Sequence, residues 1–214
     1  MLKGAIFDLD GTLLDSMGLW NTLGERYLNH RGMTAEPGLN EILVRMSLPQ
    51  GAAYLKEHYP LTVSEQEIMS EVNDLLREDY AKRVQLKPGA KAFLLRLKEH
   101  GVKLCVATAT DLSLTESALK RLGIREWFDG VLTCRMVGHG KDEPVIYERA
   151  LALLGTPKEQ TAVFEDAVHA AKTAKQAGFP LVGVFDAYEP KTAEVKALAD
   201  CYTEEYRGLE GLFS

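Results

Sequence analysis

Several acidic residues stand at the ends of short apolar segments, where they could do chemistry together. Asp8 and Asp10 stand at the end of the first apolar segment, and Glu165 and Asp166 follow a later one. Carboxylates can attack an electrophile, transfer protons or bind a hard metal ion. Ligands of parallel α/β sheets bind beyond the carboxyl ends of the strands. We therefore expect these four carboxyl groups to share one site.

A hydroxyl group and a lysine complete the predicted site. Thr108 ends a second apolar segment, Ala109 follows it, and Lys141 lies between a third segment and the next helical pattern. The four carboxylates and Lys141 have a net charge of −3. Unit charges about 4 Å apart near a protein surface interact by roughly 4 kcal/mol, so the cluster needs a compensating cation. Since Mg²⁺ prefers oxygen ligands, we predict Mg²⁺ as the cofactor.

The two acids of the first segment can take different roles. A protonated Asp10 would be a general acid, beside an ionised Asp8 that acts as the nucleophile. This division requires that the two carboxyl groups lie in different environments.

The elements that position these residues alternate between strands and helices. Short segments that are apolar on both faces predict buried strands at residues 4–9, 102–108, 130–133, 161–164 and 181–184. Helical patterns lie at residues 89–100, 113–122, 143–154 and 167–177. The alternation predicts an α/β fold with a doubly wound, Rossmann-like and mainly parallel sheet.

One long segment interrupts this alternation. Residues 16–86 contain no strand pattern, and they predict helices at residues 19–30, 39–46, 50–58 and 64–83. Ser64 and Glu67 have the spacing of a capping box. The block is too long for a single crossover helix. We therefore predict a small all-helical domain at residues 16–85, inserted into an α/β core of residues 1–15 and 86–214.

Four short motifs resemble those of a known enzyme family. The run DLDGTLLDS at residues 8–16 resembles the first motif of the haloacid dehalogenase (HAD) superfamily of phosphohydrolases. Thr108 resembles the second motif, Lys141 the third, and the run VFED at residues 163–166 the fourth. The helical insert is similar to the family's helical cap. The subgroup that the chain resembles contains β-phosphoglucomutase and phosphoglycolate phosphatase.

This resemblance implies a mechanism. Asp8 attacks phosphorus and becomes an aspartyl phosphate, while Asp10 protonates the leaving alcohol and then deprotonates the attacking water. Mg²⁺ is bound by the side chains of Asp8 and Asp166 and by the main-chain carbonyl group of Asp10. The phosphoryl oxygens are bound by Thr108, the N–H group of Ala109, and Lys141.

The chain departs from the family pattern at several positions. Asp142 and Glu143 follow the lysine of the third motif, and Ala170 replaces a glycine that is usual after the fourth. Trp20 stands where the phosphomutase has a histidine that helps proton transfer. The loop around Arg45 lacks the Ser-Arg pair of the mutase, although Arg45 itself is a candidate substrate contact. The last two departures favour hydrolysis over phosphoryl shuttling.

Each candidate also has a simpler interpretation. Asp8 and Asp10 could form an ordinary turn, and Glu165 and Asp166 could begin a helix. Lys141 could be a solvated lysine, as most lysines are. Thr108 and Arg45 have the same kind of alternative, as a strand-end hydroxyl and a solvated arginine. The order of the four motifs favours the functional interpretation.

Composition excludes other classes of protein. The chain has 214 residues and a net charge of −6, which argues against nonspecific nucleic-acid binding. Apolar residues make up 46% and charged residues 26%, so the chain is not disordered. No apolar run is long enough to span a membrane, and the N-terminus does not resemble a signal peptide. Three widely spaced cysteines are typical of reduced thiols, so we expect a cytoplasmic protein, and a monomer with a dimer as the alternative.

The sequence therefore predicts a Mg²⁺-dependent phosphatase of a small phosphorylated metabolite, such as a sugar phosphate. A first alternative is a phosphomutase of the β-phosphoglucomutase type, against which Trp20 argues. A second is a noncatalytic or receiver-like signalling protein, because receivers also combine acids, a threonine and a lysine on a parallel sheet. The long helical insert argues against a receiver.

Overall fold

The computed structural model describes residues 2–43, 46–207 and 209, and its elements alternate as the sequence predicts. In chain order they are β1 (Gly4–Phe7), β2 (Leu14–Asp15), α1 (Met17–Asn21), α2 (Leu23–His30), α3 (Leu39–Leu43), α4 (Leu48–His58), α5 (Glu65–Lys82), β3 (Gln85–Leu86), α6 (Ala90–Glu99), β4 (Lys103–Thr108), α7 (Leu112–Arg121), β5 (Gly130–Thr133), α8 (Cys134–Val137), α9 (Val145–Leu154), β6 (Thr161–Glu165), α10 (Val168–Gln176), β7 (Leu181–Val184), α11 (Thr192–Leu198) and β8 (Cys201–Thr203).

Six strands form one parallel sheet in the order β5-β4-β1-β6-β7-β8. This sheet confirms the predicted fold class. The first strand is two residues shorter than predicted, because the Leu9 carbonyl group accepts the N–H groups of Leu13 and Leu14 at 2.8 Å and turns the chain away. A tight loop therefore begins directly after β1.

Both faces of the sheet are covered by apolar side chains. Phe7 points to the face that packs against α6 and α7, where it stacks on Phe164 with ring centroids 4.2 Å apart. Ile6 points to the opposite face, where it packs with Val163 and with Tyr147 of α9. Successive residues of a strand alternate between the faces, so a strand that is apolar throughout is buried on both sides.

The sequence did not predict β8 and α11 at one edge of the sheet. β8 has three residues, of which Cys201 and Tyr202 are only half-buried. α11 has seven residues, of which only Val195 is buried. Short elements with one apolar face leave a weak periodic pattern in the sequence.

The connections before and after the helices α1 to α5 lie side by side. β2 and β3 pair antiparallel, with Asp15 opposite Gln85, and α1 to α5 lie between them. Tyr27, Ile68 and Tyr80 of this helical insert belong to the same apolar cluster as Phe7 of the sheet. The insert thus shares a hydrophobic core with one face of the sheet.

Two details of the insert test the sequence patterns. The prediction of one helix over residues 19–30 is wrong, because Thr22 lies between α1 and α2 with φ −108° and ψ 0°. Its hydroxyl group donates to the carbonyl oxygen of Gly18 at 3.2 Å. The predicted capping box is confirmed: Ser64 Oγ accepts the Glu67 N–H at 3.2 Å, and Glu67 Oε2 accepts the Ser64 N–H at 2.8 Å.

In the described ranges, no helix combines the length and the apolar character that crossing a membrane requires.

Candidate active site

The carboxyl edge of the sheet brings the acidic residues together. Asp8 follows β1, and Glu165 ends the neighbouring strand β6, with Asp166 next in the chain. Each of the three offers a carboxylate oxygen, and these oxygens lie within 4.8 Å of one another. All three side chains are buried. Residues that are more than 150 positions apart in the chain thus form one acidic cluster.

Lys141 lies inside this cluster. Its side chain is buried, and its Nζ atom donates to Glu165 Oε1 at 2.5 Å and also to Asp8 Oδ1. The hydroxyl group of Tyr147, on α9, donates to the same Glu165 oxygen at 3.0 Å. Lys141 is therefore not a solvated lysine, and Glu165 is its buried partner.

Burial and charge change the pKa values in the cluster. Burial raises the pKa of Asp8 to about 7, because Lys141 offsets the desolvation of its carboxylate only in part and Glu165 adds repulsion. Burial also raises the pKa of Asp166 well above its usual range, and the charges of Asp8 and Glu165 add to this effect. Burial alone would lower the pKa of Lys141, but the two carboxylates outweigh it and the pKa rises. The cluster is short of positive charge.

The loop after β1 fits closely around Asp166. Thr12 Oγ1 donates to Asp166 Oδ1 at 2.6 Å. Gly11 has a φ of +81°, and a Cβ atom at this position would lie 2.3 Å from Asp166 Oδ2. A residue with a side chain would therefore be strained and would displace the carboxylate.

Asp10 lies in a different environment from Asp8. Its Oδ1 atom accepts a hydrogen bond from Ser16 Oγ at 2.5 Å and another from the Tyr80 hydroxyl group. Its Oδ2 atom accepts a hydrogen bond from Thr110 Oγ1 at 2.6 Å. The two acids of the first motif thus have separate partners, as different roles require.

The helical insert contributes to the surroundings of Asp10. Tyr80 comes from α5, and its hydroxyl oxygen accepts a hydrogen bond from Trp20 Nε1 of α1 at 2.9 Å. Burial raises the pKa of Tyr80 well above its usual range, and Asp10 adds to the increase. No motif or spacing in the sequence marks Tyr80, which occupies an ordinary apolar position of a helix.

The other predicted residues lie at the same edge of the sheet. Thr108 is buried, and its hydroxyl oxygen accepts the N–H group of Thr110 at 3.0 Å. Ala109 is exposed between them. Thr110 is a site residue that the prediction missed, although it stands only two positions after Thr108. Arg45 lies outside the described residues.

The departures from the motif pattern leave the cluster intact. Glu143 Oε1 accepts a hydrogen bond from His139 Nδ1 at 2.9 Å, and both side chains are exposed. Ala170 is buried in α10. None of these groups takes the place of a cluster residue.

The donor set fits a hard divalent cation. Asp8, Glu165 and Asp166 offer only carboxylate oxygens, which are the ligands that Mg²⁺ and Ca²⁺ prefer. Burial raises the pKa values of Asp8 and Asp166, and repulsion among the buried carboxylates adds to the increase. A cation between these oxygens would remove that repulsion.

A buried cluster of this kind at the carboxyl edge of a parallel sheet is typical of the active site of an α/β enzyme. A family model described as haloacid dehalogenase-like hydrolase matches residues 2–178. Since this match covers most of the sequence, the chain belongs to the haloacid dehalogenase-like hydrolase family. The resemblance inferred from the four motifs is thereby confirmed, and the receiver-like alternative is wrong.

Similar proteins extend over nearly the same length. The chain is 27% identical over 177 residues to a phosphorylated carbohydrates phosphatase of Thermotoga maritima, and the aligned region covers 83% of this chain and 82% of that protein. It is 30% identical over 202 residues to a validoxylamine A 7'-phosphate phosphatase of Streptomyces hygroscopicus subsp. limoneus, and the aligned region covers 94% of this chain and 92% of that protein. The crystal structure of CbbY from Rhodobacter sphaeroides, in complex with phosphate, superposes with a TM-score of 0.86 at 25% identity and covers 98% and 97%. The chain is thus similar to phosphatases throughout.

Proposed function

We propose that this protein is a Mg²⁺-dependent phosphatase of a small phosphorylated metabolite, with a sugar phosphate as the favoured substrate class. The observation that carries the proposal is the buried cluster of Asp8, Glu165, Asp166 and Lys141 at the carboxyl edge of the sheet. The carbohydrate and validoxylamine phosphatases to which the chain is similar support the substrate class.

Asp8 is the proposed nucleophile. One carboxylate oxygen of Asp8 forms a bond to phosphorus, the ester P–O bond breaks, and the alcohol leaves with a proton from Asp10. In the second step Asp10 takes a proton from water, the water oxygen bonds to phosphorus, and the bond between phosphorus and Asp8 breaks to release inorganic phosphate. Lys141 already contacts Asp8 and would bind a phosphoryl oxygen together with Thr108 and the N–H group of Ala109.

Mg²⁺ would be held by the side chains of Asp8 and Asp166 and by the main-chain carbonyl group of Asp10. When bound, it supplies positive charge that neutralises the phosphoryl oxygens and the cluster. Glu165 shares one oxygen with Lys141 and Tyr147, so its proposed role is to hold Lys141 in place.

We propose further that residues 16–85 form a cap domain, and that residues 1–15 and 86–214 form the catalytic core. The pairing of Asp15 with Gln85 supports this division, because it places both connections side by side. The contact of Tyr80 with Asp10 supports a role of the cap at the reaction site. A cap in this position excludes water and contacts the leaving group.

One observation favours hydrolysis over a phosphomutase reaction. Trp20 stands at the position of the mutase histidine, and its indole N–H donates to Tyr80 at 2.9 Å. An indole group can only donate a hydrogen bond and cannot exchange protons at neutral pH. This position therefore cannot take the role of a histidine in phosphoryl shuttling.

A phosphate-release screen tests the proposal. The substrates are glucose 6-phosphate, ribose 5-phosphate, phosphoglycolate, nucleoside monophosphates and 4-nitrophenyl phosphate, each with Mg²⁺ or with a chelator. We expect turnover of at least one phosphomonoester, dependence on Mg²⁺, and a loss of about 1,000-fold or more in Asp8→Asn. Wild-type turnover in Asp8→Asn would contradict the nucleophile, and full activity in chelator would contradict the metal. Accumulation of an isomer instead of phosphate would favour the mutase.

A further inference from the structure

The hydroxyl group of Tyr80 connects the helical insert to the side chain of Asp10. We propose that Tyr80 is a positioning residue, which holds the Asp10 carboxyl group in the orientation that the leaving alcohol requires. This inference rests on the proposed function, because it assigns Tyr80 a role only through the acid–base role of Asp10. Tyr80 belongs to none of the four motifs, and it is 70 residues away from Asp10 in the chain.

Trp20 fixes the direction of the hydrogen bond between Tyr80 and Asp10. The indole Nε1–H of Trp20 can only donate, so the Tyr80 hydroxyl oxygen is the acceptor at 2.9 Å. The single hydroxyl proton of Tyr80 is then free to point at Asp10 Oδ1, where the second hydrogen bond is found. The pair Trp20–Tyr80 thus presents one donor to the carboxyl group, in a fixed direction.

The position of Tyr80 is fixed by the core domain as well as by the insert. Its side chain is fully buried in the apolar cluster. Its main-chain carbonyl oxygen accepts a hydrogen bond from Arg121 Nε, at the end of α7, at 3.1 Å. Tyr80 is thus held in place both at its main chain and at its hydroxyl group. A residue held in this way can in turn fix the orientation of the Asp10 carboxyl group, as the positioning of a reactive group requires.

Tyr80 also differs in origin from the other donors to Asp10. Ser16 lies close to Asp10 in the chain, and Thr110 follows the neighbouring strand β4. Among the side chains that contact Asp10 in the described part of the structure, that of Tyr80 belongs to α5, the last helix of the insert. The docking of the last insert helix on the core is thereby coupled to the orientation of Asp10.

The test compares Tyr80→Phe with Tyr27→Phe. Tyr80→Phe removes only the hydroxyl group. Tyr27 is also fully buried, and its hydroxyl group also donates to a carboxylate, that of Glu71 at 3.0 Å within the insert. Both variants therefore lose one hydrogen bond from a buried phenol to a carboxylate. Only the Tyr80 variant loses it at Asp10.

The leaving group of the substrate separates positioning from a general structural effect. The probes are the best sugar phosphate of the screen and 4-nitrophenyl phosphate, whose leaving group is acidic enough to depart without a proton. For Tyr80→Phe we expect kcat/KM to fall about 10-fold with the sugar phosphate, as for the loss of one buried hydrogen bond to the protonated acid. With 4-nitrophenyl phosphate we expect a change of less than about 3-fold. Tyr27→Phe is expected to retain both activities.

Two results would overturn the inference while the proposed function stands. One is a Tyr80→Phe enzyme as active on the sugar phosphate as Tyr27→Phe, and the other is an equal loss on both probes. A wild-type protein that hydrolyses neither probe would instead contradict the proposed function. If Tyr80→Phe does not fold, Trp20→Phe is tested instead, because it removes the N–H group that donates to the Tyr80 hydroxyl oxygen. Trp127→Phe is its control. The same selective loss with the sugar phosphate then supports the inference, and its absence overturns it.

Discussion

Lys141 and Glu165 form a buried ion pair, with Nζ and Oε1 2.5 Å apart, although Lys141 lies in the connection before α9 and Glu165 ends β6. The side chain of Glu165 is only 1% exposed and that of Lys141 only 7%. The same lysine pairs with Asp8, the proposed nucleophile. One cation thus holds two carboxylates, and the effect of its removal can be predicted.

Lys141→Met is expected to lower both stability and activity. It would leave Asp8 and Glu165 buried without their cation, and breaking a buried ion pair costs about 3 kcal/mol or more. We expect the free energy of unfolding at pH 8 to fall by about that amount in urea titrations with chelator present, and phosphate release to fall by about 100-fold or more. Lys172→Met is the control, since Lys172 pairs with Glu194 at the surface, where both side chains are 46% exposed. A stability of Lys141→Met equal to that of the control would contradict the role of the ion pair.

Gly11→Ala is expected to disturb Asp166 beyond the backbone cost of the substitution. The new Cβ atom would lie 2.3 Å from Asp166 Oδ2, and φ is +81°. Gly155→Ala has a comparable backbone cost at φ +62°, but no atom lies within 4 Å of its Cβ position. We expect each variant to lose about 1 kcal/mol of stability, and only Gly11→Ala to need about 10-fold more Mg²⁺ for half-maximal activity. An equal Mg²⁺ requirement in both variants would contradict Asp166 as a metal ligand.

The stability of the metal-free protein is expected to decrease as the pH rises. Burial raises the pKa of Asp8 to about 7, whereas an unfolded aspartate has a pKa of about 4. The folded state therefore binds this proton more tightly, so the stabilisation is complete below about pH 4 and is lost as the pH rises through about 7. In chelator we expect the titration of Asp8 to lower the Tm by roughly 5 °C between about pH 5 and pH 8.

Saturating Mg²⁺ is expected to remove most of this decrease, because the cation replaces the protons on the cluster. Scanning calorimetry in chelator and in Mg²⁺ over the same pH range measures both effects. A Tm that rises with pH in chelator and is unaffected by Mg²⁺ would contradict the proposed metal site.

The helical insert and the sheet are expected to unfold together. Tyr27 and Ile68 of the insert share an apolar cluster with Phe7 and Phe93 of the core. The chain has two tryptophans, so in Trp127→Phe the fluorescence of Trp20 reports on the insert alone. We expect the midpoint of the urea unfolding transition measured by Trp20 fluorescence to coincide with the midpoint measured by far-UV circular dichroism. A separate transition of the insert at lower urea concentration would contradict a shared core.

The strands and the acids at their ends could be predicted because both depend on local sequence. A strand buried on two faces needs a continuous apolar run, such as the one that ends at Thr108. The carboxyl ends of parallel strands must meet at one edge, so the acids after β1 and β6 had to approach each other. The fold class followed from these patterns, whereas the family followed from the resemblance of the four motifs to those of a known family.

The partners within the site were decided only by the tertiary structure. Glu165 accepts a hydrogen bond from Lys141, which is 24 positions away in the chain. Asp10 accepts a hydrogen bond from Tyr80, which is 70 positions away. Such contacts depend on how α5 docks on α7 and on where the connection before α9 runs, and no local periodicity encodes either. The sequence determined which side chains could react, whereas packing between distant helices determined which of them touch.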